Sequence, residues 1–152
     1  MEFKIDAIKT LREETGAGIL EVREALEHAG GDPKKAKEEL MKKVASKAAK
    51  KADRNAGDGL IYAYIHSTGK VGSLVEIACE TDFVARTDDF KKLCQEIAMQ
   101  VCTSDFKNIE ELTASEYIRD AGKTVLDIVN EVTAKTGEKI QIKRFVKFAI
   151  GE

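Results

Sequence analysis

The sequence has no tryptophan, a single proline and only three cysteines in 152 residues. So little proline, with no low-complexity tract, speaks against a collagen-like or disordered chain, and 43% apolar residues supply material for a core. Cys79, Cys94 and Cys102 are odd in number and lack CxxC spacing, so neither a disulfide framework nor a zinc cage is indicated. Free thiols in a reducing cytoplasm fit better. Also missing is any run near the roughly 20 apolar residues of a membrane span. The first ten residues alternate charged and apolar positions, unlike a signal peptide. The expectation is a cytoplasmic protein with no membrane contact, long enough for one domain or for a small module joined to a compact one.

Charge of one overall sign is nearly absent too, since 25 Lys and Arg oppose 27 Asp and Glu. The total of −2 hides three zones: residues 1–33 carry eight acids and four bases, residues 34–54 three acids and nine bases, and the remainder sixteen acids and twelve bases. The positive charge is a belt in the middle of the chain.

What is present is periodicity. Ile8 and Leu11 begin a short helix that ends at Thr15-Gly16. Ile19, Val22 and Leu26 give the next helix one apolar stripe, and Gly30-Gly31 ends it. Asp32-Pro33 opens a third, with the aspartate as cap, the proline at the first helical position, and Ala36, Leu40 and Val44 as its stripe. Residues 46–54 hold helix formers without large apolar side chains and predict an exposed helical linker. After residues 55–59 the period becomes two: residues 60–66 and 71–80 predict a hairpin. Thr87 caps a helix whose buried face is Phe90, Leu93, Ile97 and Val101. Thr113 is expected to cap a shorter helix through Tyr117 and Ile118. Val125, Val129 and Val132 mark another helix, ending at Gly137. Ile140, Ile142, Val146, Phe148 and Ile150 predict a long last strand with these side chains and Arg144 on one face. The fold class is α+β: a three-helix module (residues 1–45), a basic linker (46–58) and a small antiparallel three-stranded sheet covered by helices (59–152).

Chemistry-bearing constellations are weak. Cys79 beside Glu80 and Asp82 has only His28 and His66 as imidazole bases, neither in a triad context, and fits a small buried hydrophobe better. Asp82, Asp88 and Asp89 lack the glycine and spacing of a calcium loop. Gly16-Ala17-Gly18 lacks the preceding strand and the GKS or GKT of a phosphate cradle, so no nucleotide or other cofactor is expected. The basic belt could neutralise phosphates of RNA or the ribosome, but no aromatic lies between Lys34 and Arg54 to stack on bases. A solvated linker face is the default. Residues 80–87 stand out because an exposed connection there carries Phe83-Val84 among charges. One of the pair packs inward, or Phe83 anchors a partner.

Several of these segments, in order, resemble bacterial translation elongation factor Ts: Thr15-Gly16-Ala17-Gly18 after Leu11-Arg12-Glu13, Ala25-Leu26, Gly31-Asp32, Ala48-Ala49-Lys50-Lys51, Glu80-Thr81-Asp82-Phe83-Val84-Ala85-Arg86 and Gly137-Glu138-Lys139-Ile140. The similarity runs from about Ile5 to Ile150. It implies a guanine-nucleotide exchange factor, not an enzyme, that binds elongation factor Tu in its GDP-bound and nucleotide-free forms. It also implies an N-terminal module of ubiquitin-associated type. The partner-binding residues it implies are Arg12, Ile19 and Leu20 on that module, and Thr81, Asp82, Phe83 and Val84, with the Asp82-Phe83 pair near the GTPase's magnesium and phosphate site. Where the family commonly has Met-Met-Asp-Cys-Lys-Lys, this chain has Ile19-Leu20-Glu21-Val22-Arg23-Glu24. The resemblance is to the short class, with one core half, and implies a homodimer.

Overall fold

A computed structural model describes residues 2–152. Helices α1 (Ile5–Thr15), α2 (Ile19–His28) and α3 (Pro33–Lys50) come first. Gly16 closes α1 in the left-handed conformation, at φ 74°. The Asp32 side chain accepts from the Lys34 amide to start α3. Val22, Ala25, Leu26, Ala36, Leu40 and Val44 bury against Leu11 and Ala17. Ile19, expected on the buried stripe of α2, is half exposed at 50%. The stripe narrows to Val22, Ala25 and Leu26 because Ile19 sits at the free start of the helix. Residues 46–50 are the final turns of α3, so the linker is helical in its first part.

Strands β1 (Asp58–Ile65), β2 (Val71–Cys79) and β5 (Gln141–Ala149) form an antiparallel sheet in the order β1-β2-β5. Between β2 and β5 lie α4 (Asp82–Ala85), α5 (Asp88–Val101), α6 (Ile109–Ala114), a small hairpin of β3 (Glu116–Tyr117) and β4 (Asp120–Thr124), and α7 (Val125–Thr136). The architecture is α+β, as the periodicities predict. Phe90, Leu93, Ile97 and Val101 of α5 and Val125, Ile128, Val129 and Val132 of α7 pack with Val75, Ile77 and Ile142 of the sheet. The first three helices dock on the same α7: Ala134 joins their apolar cluster, and a Cβ on Gly16 would run into the Glu131 carbonyl oxygen. Lys123 Nζ ties the two parts as well, reaching Glu14 O at 2.9 Å and Glu131 Oε1 at 2.5 Å.

Two expectations are corrected. Thr113 does not cap a helix through Tyr117 and Ile118. Asn108 caps α6 instead, accepting from the Glu111 amide at 2.8 Å, and the chain turns into the β3-β4 hairpin. The cause is tertiary: the buried Gln100 side chain donates to Glu116 O and accepts from the Ile118 amide, while Glu96 accepts from the Tyr117 hydroxyl and Arg119. Nor do the apolar residues of β5 share one face. Ile77 pairs with Ile142 and Glu76 with Arg144, so Lys143 is an extra residue and the alternation reverses there. Ile142 faces the helices, whereas Arg144, Val146 and Phe148 face away.

Candidate protein-docking site

The connection from β2 to α5 begins where the sheet ends. Thr81 is extended (φ −132°, ψ 157°) and caps α4, its side chain accepting from the Val84 amide at 3.5 Å. Residues 82–85 are thus a helical turn, not an irregular loop. A single turn holds little stability of its own, and this one is fastened by what its side chains do at each end. Val84 and Ala85 point into the core, 8% and 3% exposed. Phe83 points the other way and is 80% exposed. The outcome is one apolar side chain anchored inside and a larger one presented outside. Asp82 is exposed and pairs with Arg86 at 3.1 Å, a surface contact that leaves its carboxylate accessible.

At the start of the turn, every polar atom of Thr81 near the surface is engaged internally. Glu138 Oε1 accepts from the amides of Glu80 (3.1 Å) and Thr81 (3.0 Å), and Oε2 accepts from the Thr81 hydroxyl at 2.7 Å. Glu80 returns the contact: its Oε1 accepts from the Lys139 amide at 2.7 Å and from Arg54 at 3.4 Å. The Lys139 amide and the Arg54 guanidinium together hold the Glu80 carboxyl below its usual range. Arg54 also donates to Gly137 O, and Lys139 Nζ to the carbonyls of Ala52 and Arg54. In the sequence, Glu80 and Glu138 stand within two of the segments that carry the resemblance and Arg54 ends the basic belt, but nothing there joins the three.

The other expected contact residues lie on the first helices. Ile19 and Leu20 open α2, 50% and 74% exposed, and Arg12 is exposed on α1. Arg12 lines a cleft with Gly16, Ala17, Gly18, Lys135 and Asp89, the last from the first turn of α5. The Arg12 side of α1 and the start of α5 are therefore walls of one depression. Four of the belt's nine bases pair with acids: Lys37 with Glu14, Lys43 with Glu39, Lys47 with Glu21 and Arg54 with Glu80. Two of these pairs, Lys37 with Glu14 and Lys47 with Glu21, join α3 to α1 and α2.

Nucleophilic chemistry has poor prospects here. Burial pushes the Cys79 thiol up to about 11, helped by the charges of Glu138 and Asp58, and pushes Cys94 up to about 12. Neither is a thiolate at neutral pH. Among the described residues no group of three His, Cys, Asp or Glu side chains could hold a metal, and no helix is long and apolar enough to cross a membrane. What this surface offers is an exposed aromatic on a fixed turn and an apolar edge at a helix start, the kinds of side chain that anchor protein interfaces.

Comparison with known proteins makes the class specific. Residues 80–152 match the family model for elongation factor TS. Over the whole chain, the elongation factor Ts of Thermotoga petrophila is 42% identical and that of Coprothermobacter proteolyticus 39%, with 98% and 100% of those proteins covered. The Thermoanaerobacter sp. X514 protein is 41% identical across 96% of this chain and 94% of its own length. The chain belongs to the elongation factor Ts family and is a translation elongation factor. The Thermotoga alignment spans 195 positions against the 152 residues available here, so at least 43 of those positions have no counterpart in this chain.

Proposed function

We propose that this chain is the guanine-nucleotide exchange factor for elongation factor Tu and works by binding alone. Residues 1–45 form one contact region, in which Arg12, Ile19 and Leu20 meet the GTPase's nucleotide domain. Residues 46–58 are the linker, and residues 59–152 are a core that presents Asp82 and Phe83 near the magnesium and phosphate site. Thr81 and Val84 hold that pair from below. The observation that carries the reading is Phe83, 80% exposed beside a Val84 that is 8% exposed, within a family of elongation factors.

The mechanism is a linkage. A factor that binds the nucleotide-free GTPase more tightly than the GDP form weakens GDP by the same factor. Burying the Phe83 ring at such an interface contributes about 1.5–3 kcal/mol, a shift of roughly 10- to 100-fold if realised only in the nucleotide-free complex. A carboxylate at Asp82 placed among the groups around magnesium perturbs the largest positive charge on the β-phosphate. No covalent step is involved, and the chain needs no cofactor of its own.

A second copy completes the assembly. The sheet face turned away from the helices carries Ile61 and Ile65 of β1, Leu74 of β2, and Val146 and Phe148 of β5, followed by Ile150, all between 41% and 81% exposed. An apolar sheet face of this kind fits the homodimer expected of the short class.

The functional test is release of a fluorescent GDP from elongation factor Tu with and without this protein. Accelerated release is expected; an unchanged rate at saturating protein would contradict the reading.

A further inference from the structure

Phe83 and Asp82 can act only if their turn points in one direction, and α4 is too short to fix its own orientation. Its far end is held by the burial of Val84 and Ala85 and by Thr87, whose hydroxyl donates to Val84 O at 2.7 Å while its side chain caps α5. At its near end the chain leaves the buried Cys79, and Thr81 is exposed and Glu80 only half buried. Glu80 bonds the Lys139 amide and Arg54, and the Cys79 thiol donates to Thr81 O, but the amide and hydroxyl of Thr81 are both held by one carboxylate. Glu138 takes three donors from two consecutive residues, at 3.1, 3.0 and 2.7 Å, across 57 or 58 positions of sequence. Bonds to an ionised carboxylate are stronger than neutral ones, and three converging donors define a direction as well as a distance.

The loop that supplies Glu138 is fixed in turn. Gly137 closes α7 at φ 74° just before Glu138, and Lys139 just after it is bonded through its amide to Glu80 and through its ammonium to the carbonyls of Ala52 and Arg54. The exchange is reciprocal, since the acid of each strand end bonds the backbone of the other: Glu138 with Glu80 and Thr81, Glu80 with Lys139. Arg54 reaches both, through Glu80 and Gly137 O.

From this we infer that Glu138 is a positioning residue for nucleotide exchange: without touching the reacting groups, it sets the direction in which Asp82 and Phe83 leave the body of the protein. The inference rests on the role proposed above for that pair.

The experiment is a double-mutant cycle of Glu138→Ala with Phe83→Ala, read by stopped-flow GDP release from elongation factor Tu. Hydrogen exchange at the Thr81 amide is followed in parallel. Glu138→Ala is expected to lower the maximal rate by about tenfold or more, as loss of alignment does at reacting centres, and to expose the Thr81 amide. The double variant is expected to be slowed by much less than the product of the single effects, since Glu138 acts in part through Phe83 and otherwise through Asp82. Glu138→Gln keeps a carbonyl oxygen for the two amides and should recover most of the rate, which covers the case of an alanine variant that folds poorly. A full rate for Glu138→Ala where Phe83→Ala is slow, or a double variant slowed by the product of the single effects, would overturn the inference alone. A full rate for Phe83→Ala would overturn the reading beneath it, and the inference with it.

Discussion

Phe83 and Val84 are neighbours in sequence with opposite fates, and their fates separate stability from function. Val84 is packed with Ala85 and Phe90, so Val84→Ala leaves a cavity and should cost about 1–3 kcal/mol in urea unfolding. Phe83 touches little of its own chain at 80% exposure, so Phe83→Ala should stay within about 0.5 kcal/mol of the parent while impairing exchange. Equal destabilisation by the two substitutions would mean that Phe83 packs inward. The sequence left two readings open, one of the pair packed inward or Phe83 anchoring a partner, and assigned no inward residue, because a connection has no period from which to read a face. The assignment follows from Thr81 capping a helical turn, which rotates successive side chains by about 100°. Glu138 was hidden for a related reason: its three partners lie in a segment far away in sequence.

At the scale of elements, strong local patterns were readable and tertiary ones were not. The stripes of α3, α5 and α7 bury the residues their spacing indicates, since an amphipathic helix has one way to hide its apolar face. The β3-β4 hairpin escaped because it is specified from outside, by Gln100 and Glu96 on α5. The bulge at Lys143 escaped because alternation in one strand carries no record of an extra residue opposite its neighbour. Gly16 shows a local signal with a second meaning. It closes α1, as its place after Thr15 indicates, and it also brings α1 against the Glu131 carbonyl. Gly16→Ala is therefore strained twice, by φ 74° and by contact with that backbone, and should destabilise by more than the roughly 1 kcal/mol typical of a left-handed glycine. Differential scanning calorimetry checks this; an unchanged unfolding temperature would show that the first helices do not rest on α7.

On the scale of the molecule, the charge of −2 is the sum of a basic zone and two acidic ones. Its basic side chains at Lys37, Lys47 and Arg54 reach acids on α1, α2 and the end of β2, so the belt draws the parts together. The open face of the sheet carries six of the twelve exposed large apolar side chains among the described residues. Its rungs include Ala63-Leu74-Val146 and Ile65-Gly72-Phe148, and Ile65 lies over Gly72, where a Cβ would meet its Cδ1 at 2.6 Å. Sedimentation at micromolar concentration should give a dimer, and Phe148→Glu a monomer with unchanged circular dichroism, because a charge is placed in the apolar contact. A monomeric parent chain would remove the dimer from the account.

In the proposed mechanism, exchange depends on a pair of side chains standing off a fixed turn. This dependence is tested most directly by stopped-flow release of fluorescent GDP from elongation factor Tu, comparing the parent chain with the Asp82→Ala, Phe83→Ala double variant. The expected result is a folded variant with normal circular dichroism and a release rate well below that of the parent at the same saturating concentration. A folded variant that releases GDP at the parent's rate would contradict it.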